Sequence, residues 1–326
     1  MSTTTQNLTE QWLAALTQSS RAVYQPSIGH FQTFLQTQTL YPNIHNPDDF
    51  LKAILEDNKR ELLERQRPGR KIMKAYIQYL TETRCKHSGK TLTPKTIRTY
   101  MGTIQSLGQY WEIPVSTQYA ELPPPVVTYN KYPWSIAEIG KFICSMKDPM
   151  YQCLGVWFLQ SALSNWDMLH LTYGQVRKQL EEKTAPLCLS LVRHKTRRYS
   201  ATFRTFIGAQ GIQYFLQYVE QNDLHLGDDD VLFSVSDNAI EGYFSRRAKK
   251  FLPQGYAERN PCCPSSLRTA FKTLLSDAEC PSHWSEYWMG HNLTGDLQKT
   301  YTNKSDASWR ESYRRYEPAL TFQYTS

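Results

Sequence analysis

Trp288-Met289-Gly290-His291-Asn292-Leu293-Thr294-Gly295-Asp296-Leu297-Gln298-Lys299-Thr300-Tyr301 is the most informative stretch of this chain. It sets a Gly-His pair ten residues before a tyrosine, and Arg268 precedes it by one helix-sized interval. A tyrosine alone says little, because the chain has 21 of them and most tyrosines pack in cores or on surfaces. An ordered set of arginine, histidine and tyrosine says more. Moving a phosphodiester onto a side chain needs an oxygen nucleophile, donors for the non-bridging oxygens and a proton source for the departing hydroxyl.

Outward from this stretch, apolar residues recur at helical spacing. Tyr24, Ile28, Phe31, Phe34 and Leu35 form one such stripe, and Ile72, Tyr76 and Leu80 form another. Thr93-Pro94 reads as a capped start, with Ile97, Tyr100, Met101, Ile104 and Leu107 as the stripe that follows. The first 120 residues are therefore expected to be all α. Pro123-Pro124-Pro125 forbids helix, so a linker is placed over 121–132 and a second domain over 133–326. In that domain helices are expected at Ser135–Met146, Tyr151–Leu163, Ile212–Asn222, Ile240–Phe251 and Ser266–Ala278. Shorter ones are expected before Gly290, near Tyr301 and over Trp309–Tyr316. Pro186–Arg193 and Tyr199–Phe206 read as strands of a hairpin whose basic turn carries Lys195, Arg197 and Arg198. The fold class is mainly α with a small antiparallel β-sheet.

The joint pattern resembles the tyrosine recombinase (phage-integrase) family. Ser266-Leu267-Arg268-Thr269-Ala270-Phe271 looks like the family's segment carrying its second arginine, and Gly290-His291 looks like its Gly-His box. Tyr301 stands at the nucleophile's spacing, and Lys195-Thr196 looks like the turn with the β-strand lysine. The resemblance implies a helical, SAM-like core-binding domain followed by an α+β catalytic domain. It implies that Tyr301 forms a 3′-phosphotyrosyl link, that Arg268 and His291 stabilise the transition state and that Lys195 protonates the leaving oxygen. No cofactor or metal is implied, since the ester retains the bond energy.

Two positions depart from the family pattern. Ser164, in Ser161-Ala162-Leu163-Ser164-Asn165-Trp166-Asp167, occupies the place of the first arginine, and Ser265 that of a histidine. Losing one charge-assisted donor to a developing oxyanion costs on the order of 3 kcal/mol. Two functions therefore stay open: a site-specific recombinase or integrase, and a catalytically inactive DNA-binding protein that keeps the fold. A weaker third reading is RNA binding by a basic, aromatic surface.

Charge points to an anionic partner. The formal net charge is +7, and between Lys59 and Arg98 there are twelve Lys or Arg against three acids. Double-stranded DNA is the expected partner. Candidate contacts are Arg67, Arg70, Lys71, Lys74, Lys95 and Arg98 in that run, then Arg193, Arg197, Arg198, Arg246 and Arg247. The hairpin arginines either clamp phosphate or face solvent, or else one reaches inward to replace the missing cation. The resemblance also implies a homo-oligomer on DNA, with the tail Ala319-Leu320-Thr321-Phe322 docking on its own or a neighbouring subunit. No small-molecule substrate is expected.

Other groups have plainer readings. Cys262, Cys263, Cys280 and His283 are zinc-ligand types, but adjacent cysteines do not make the usual paired knuckle. Asp228-Asp229-Asp230 precedes an apolar run and reads as a turn. Seven cysteines without an evident signal peptide read as reduced thiols, and no apolar run approaches ~18 residues, so a cytoplasmic, DNA-associated protein is expected.

Overall fold

Helix starts in this chain are written in its capping residues. In the computed structural model Asn7, Thr17, Asn46, Thr93 and Ser135 each accept a hydrogen bond from the backbone N–H three residues on, satisfying an otherwise orphaned donor of the first turn. The structure describes residues 7–84, 89–115, 122–124, 132–192, 202–252, 262–291 and 304–323. The chain divides into two compact units, Met1–Tyr129 and Asn130–Ser326. Among the described residues no helix is long and apolar enough to cross a membrane.

The first unit contains α1 (Leu8–Ala15), α2 (Gln18–Thr37), α3 (Pro47–Asn58), α4 (Pro68–Glu82) and α5 (Pro94–Tyr110). Its centre is aromatic. Phe31 meets Phe50 edge-on at 5.1 Å and Tyr76 at 4.9 Å, and all three are fully buried. The loop into α4 is tied by Asp57, itself buried, whose two carboxylate oxygens accept from Gln66 N and Arg67 N at 2.8 Å each. Helix α4 then divides cleanly, with Ile72, Met73, Tyr76, Ile77 and Leu80 inward and Arg70, Lys71 and Lys74 exposed. Arg67 and Lys95 are also exposed, whereas half-buried Arg98 donates to the Pro123 carbonyl at 2.9 Å. That bond ties part of the proline segment back onto the first unit.

The second unit begins with α6 (Ile136–Cys144) and α7 (Pro149–Ser161), followed by short helices α8 (Asn165–Leu169) and α9 (Arg177–Glu181). Next come β1 (Leu187–Val192) and β2 (Thr202–Ile207), an antiparallel pair with Leu187 opposite Ile207 and Val192 opposite Thr202. The hairpin turn with Arg193, Lys195, Arg197 and Arg198 lies outside the described residues. Helices α10 (Ala209–Gln221), α11 (Asp237–Ala248), α12 (Pro264–Asp277), α13 (Ser282–Trp288) and α14 (Asp306–Arg314) complete the unit. Asp230 closes the expected acidic turn by accepting from Gly227 N at 2.7 Å.

Helix α7 is the axis of this unit. Every residue from Cys153 to Ser161 is buried, and Trp157 Nε1 donates to Gly211 O of α10 at 2.8 Å. The tail folds back onto the same unit. Leu320 and Phe322 are buried, Gln210 Nε2 donates to Phe322 O at 2.7 Å, and a Cβ on Gly140 would lie 2.8 Å from the Phe322 ring. Only glycine admits that ring against α6.

One buried polar group in the first unit lacks compensation. Among the described residues the Tyr76 hydroxyl has no hydrogen-bond partner, and burial raises its pKa above the ordinary phenol value. Tyr76→Phe is therefore expected to stabilise the first unit by about 1 kcal/mol. Urea unfolding should show a higher midpoint at unchanged slope; an unchanged or lower midpoint shows that the hydroxyl is satisfied.

Candidate functional site

Two of the four candidate catalytic side chains fall within the described residues, and they meet. Arg268 lies in the second turn of α12, where Leu267, Ala270 and Phe271 are buried and hold the helix against the core. Its Nη2 donates to His291 Nε2 at 3.0 Å and to Met289 O at 2.6 Å, and its Nη1 donates to Ala162 O. Tyr301 and Lys195 lie outside the described residues.

The Gly-His order has a steric cause. Helix α13 ends at Trp288, and Gly290, just past its Met289 cap, has a φ of +66° in the left-handed region and an absent Cβ that would sit 2.9–3.0 Å from the Phe203 ring on β2. The turn this permits bonds Gly290 N to Tyr287 O (2.9 Å) and His291 N to Glu286 O (3.0 Å). His291 is thereby carried back toward α12.

Behind the pair stands a carboxylate that inspection of the sequence missed. Glu286 Oε2 pairs with His291 Nδ1, and Glu286 Oε1 pairs with Lys272 Nζ from the next turn of α12. The side chain of Glu286 is 24% exposed and that of His291 36% exposed, so the cluster stands at the surface with its carboxylate set deeper. Burial acts to raise the Glu286 pKa, but the hydrogen bonds from Lys272 and His291 outweigh it and hold the carboxyl below its ordinary value. The signal was present as spacing, since Lys272 is four residues after Arg268 and Glu286 five before His291. Nothing local says that these two pairs belong together.

The two departures have local employment. Ser164 is the N-cap of α8: its Oγ accepts from Asp167 N at 3.2 Å and donates to Asp167 Oδ2 at 2.6 Å. Ser265 lies in the first turn of α12 with its Oγ 2.9 Å from Cys263 Sγ, while Cys263 caps that helix. Of the remaining candidates, Arg246 is exposed on α11, and Arg247 Nε donates to Ser145 Oγ at 3.2 Å in a bond within the unit.

The chain after the Tyr301 position is anchored. Lys304 stands over the rings of Trp284 and Trp309 at 4.4 Å from each and donates to Ser312 Oγ at 2.7 Å. Arg204 on β2 pairs with Asp306 at the start of α14 at 2.5 Å. Both contacts fix the far end of the segment that bears Tyr301.

No protein-family model and no curated protein matches the chain. Solved structures do. The Tn1549 transposon integrase in complex with transposon right-end DNA is similar at 17% identity and TM-score 0.52, over 90% of this chain and 98% of that one. XerH site-specific recombinase bound to a palindromic difH substrate is similar at 13% identity and TM-score 0.51, over 83% of this chain and 76% of that one. The chain thus has the mostly helical tyrosine-recombinase fold with its small antiparallel sheet.

Ser164→Ala is expected to cost about 1 kcal/mol by removing the α8 cap, and Ser164→Asn, which can still cap, should recover most of it in thermal unfolding. Acid titration should separate Glu286 from Gln. Because the folded-state pKa of Glu286 is depressed, its stabilisation is complete above the unfolded carboxyl value of roughly 4.3 and is lost as pH falls through the lower folded value. Glu286→Gln should lack that part of the acid-side loss; identical acid slopes in the two proteins would refute the assignment.

Proposed function

We propose that this chain is a DNA strand-transfer enzyme, a site-specific recombinase or integrase whose nucleophile is Tyr301. The observation that carries the reading is the Arg268–His291 pair, brought together at the surface by the left-handed turn at Gly290. The shared fold, with relatives solved on transposon-end and difH DNA, supports the same substrate class.

In this reaction the Tyr301 hydroxyl gives up its proton to solvent as its oxygen attacks the scissile phosphorus, a P–O bond to tyrosine forms and the P–O5′ bond breaks. The departing 5′-oxygen takes its proton from Lys195. Arg268, with Lys272 one turn away, keeps positive charge where the non-bridging oxygens gain negative charge, and His291 Nε2 steadies the guanidinium by accepting from it. Attack of a 5′-hydroxyl on the phosphotyrosine reverses the step and rejoins the strand. The exposed α4 face of Arg70, Lys71 and Lys74, extended by Arg67 and Lys95, supplies backbone contacts, with Arg193, Arg197, Arg198 and Arg246 as further contacts from the second unit. Arg98 and Arg247 are already engaged within their own units and contribute less. Assembly of several copies on DNA belongs to the same proposal.

A second reading has its own observation. Ser164 is committed to a helix cap, and the Arg268 guanidinium already serves two backbone carbonyls, which suits a DNA-binding protein that keeps the fold without the chemistry.

Incubation of the protein and its Tyr301→Phe variant with candidate attachment-site DNA, nicked near the cleavage point, separates the two. Strand transfer predicts a covalent protein–DNA species on a denaturing gel with the native chain and none with Tyr301→Phe. Tight, salt-sensitive binding with no covalent species selects the binding protein. Charge reversal at Arg70, Lys71 and Lys74 should weaken binding and flatten its salt dependence under either reading; unchanged affinity would remove α4 from the interface.

A further inference from the structure

Arg268, His291, Glu286 and Lys272 form one continuous chain of hydrogen bonds and ion pairs drawn from two helices. Its polarity is determined by its ends. A guanidinium is always a donor, so the His291 Nε2 that faces Arg268 Nη2 at 3.0 Å is an acceptor and carries no hydrogen. A carboxylate is an acceptor, so the Nδ1 that faces Glu286 Oε2 carries the ring proton. The imidazole is thereby held as its Nδ1–H form with the Nε2 lone pair turned into the arginine site.

Glu286 is built for that role. Its other oxygen is engaged by Lys272, so the carboxylate cannot turn away from the ring. The same two residues are tied through the main chain, His291 N to Glu286 O at 3.0 Å, around the left-handed Gly290. Side chain and backbone together fix both the place and the orientation of the ring. Helix α12 supplies the cation at each end, Arg268 facing Nε2 and Lys272 locking the carboxylate one turn later.

Resting on the strand-transfer reading above, we infer that Glu286 is the positioning residue of the site: it selects the tautomer of His291, whose Nε2 lone pair then holds the Arg268 guanidinium at the phosphate position. A surface ion pair with no further part would instead carry an imidazolium protonated on both nitrogens. The arrangement is that of a carboxylate orienting a functional imidazole; for metal-binding imidazoles removal of the orienting partner lowers affinity or activity by roughly 10- to 100-fold, and an effect of that order is expected here.

The test uses the full chain labelled with ¹⁵N-histidine, with the His291 resonances assigned by their loss in His291→Gln. The native protein should show the Nδ1–H pattern at His291. Glu286→Ala leaves only the Arg268 contact on the ring, so the imidazole should turn away from the guanidinium and show the Nε2–H form that an unrestrained imidazole prefers, and Glu286→Gln, whose amide oxygen still accepts from Nδ1–H, should keep the native pattern. On nicked DNA, Glu286→Ala should form the covalent species roughly 10- to 100-fold more slowly at unchanged DNA affinity, and Glu286→Gln should recover most of the rate. An unchanged His291 pattern in Glu286→Ala overturns the inference, as does a lost pattern with no change in rate. If the native chain forms no covalent species at all, the strand-transfer reading falls, and the nitrogen spectra alone decide whether Glu286 sets the ring.

Discussion

The C-terminal end of α7 is the constraint on which the second unit depends. A helix leaves its last carbonyls without partners, and here that end is buried, away from water. Three separate elements satisfy it. Tyr313 of α14 donates its hydroxyl to Gln160 O at 2.9 Å, Thr205 of β2 donates to Ser161 O at 2.7 Å, and Arg268 of α12 donates to Ala162 O. Ala162, left-handed at φ 50°, ends the helix and turns its carbonyl to the arginine. Leaving one such carbonyl without a donor costs about 1–3 kcal/mol, so these bonds hold strand, helix and tail in place around one point.

The same constraint places the site. Arg268 stands at the negative end of the α7 dipole, where a cation is favoured, and that position puts its other nitrogen beside His291. Its guanidinium thus has two employments, one in the fold and one in the proposed chemistry. A change at Arg268 disturbs both, whereas Tyr301 and Glu286 allow them to be separated. The Ser164 position, just beyond Ala162, shows the opposite outcome: without a guanidinium it caps the start of the next helix instead.

Downstream, the chain is tied on both sides of the Tyr301 segment. The turn at Gly290 fixes its beginning against Phe203, and the Lys304 cage of Trp284 and Trp309 fixes its end. The tail then closes on its own unit through buried Phe322, whose ring lies against Gly140 of α6.

Helices and caps were legible in the residues because they obey short-range rules: Thr93-Pro94 and Ser135 start the helices they announce, and the apolar stripe of α4 is the buried one. The Arg268 and Gly290-His291 boxes were legible as order and spacing, with Gly290 demanded by a left-handed turn. What no spacing states is which acceptors a guanidinium meets. That Arg268 caps α7, that Arg98 and Arg247 serve their own units, that Ser164 caps α8 and that Glu286 reaches His291 were decided by tertiary structure. The reason is physical: long polar side chains take the partners that burial leaves unsatisfied, and burial is a property of the packed chain, not of any local run of residues.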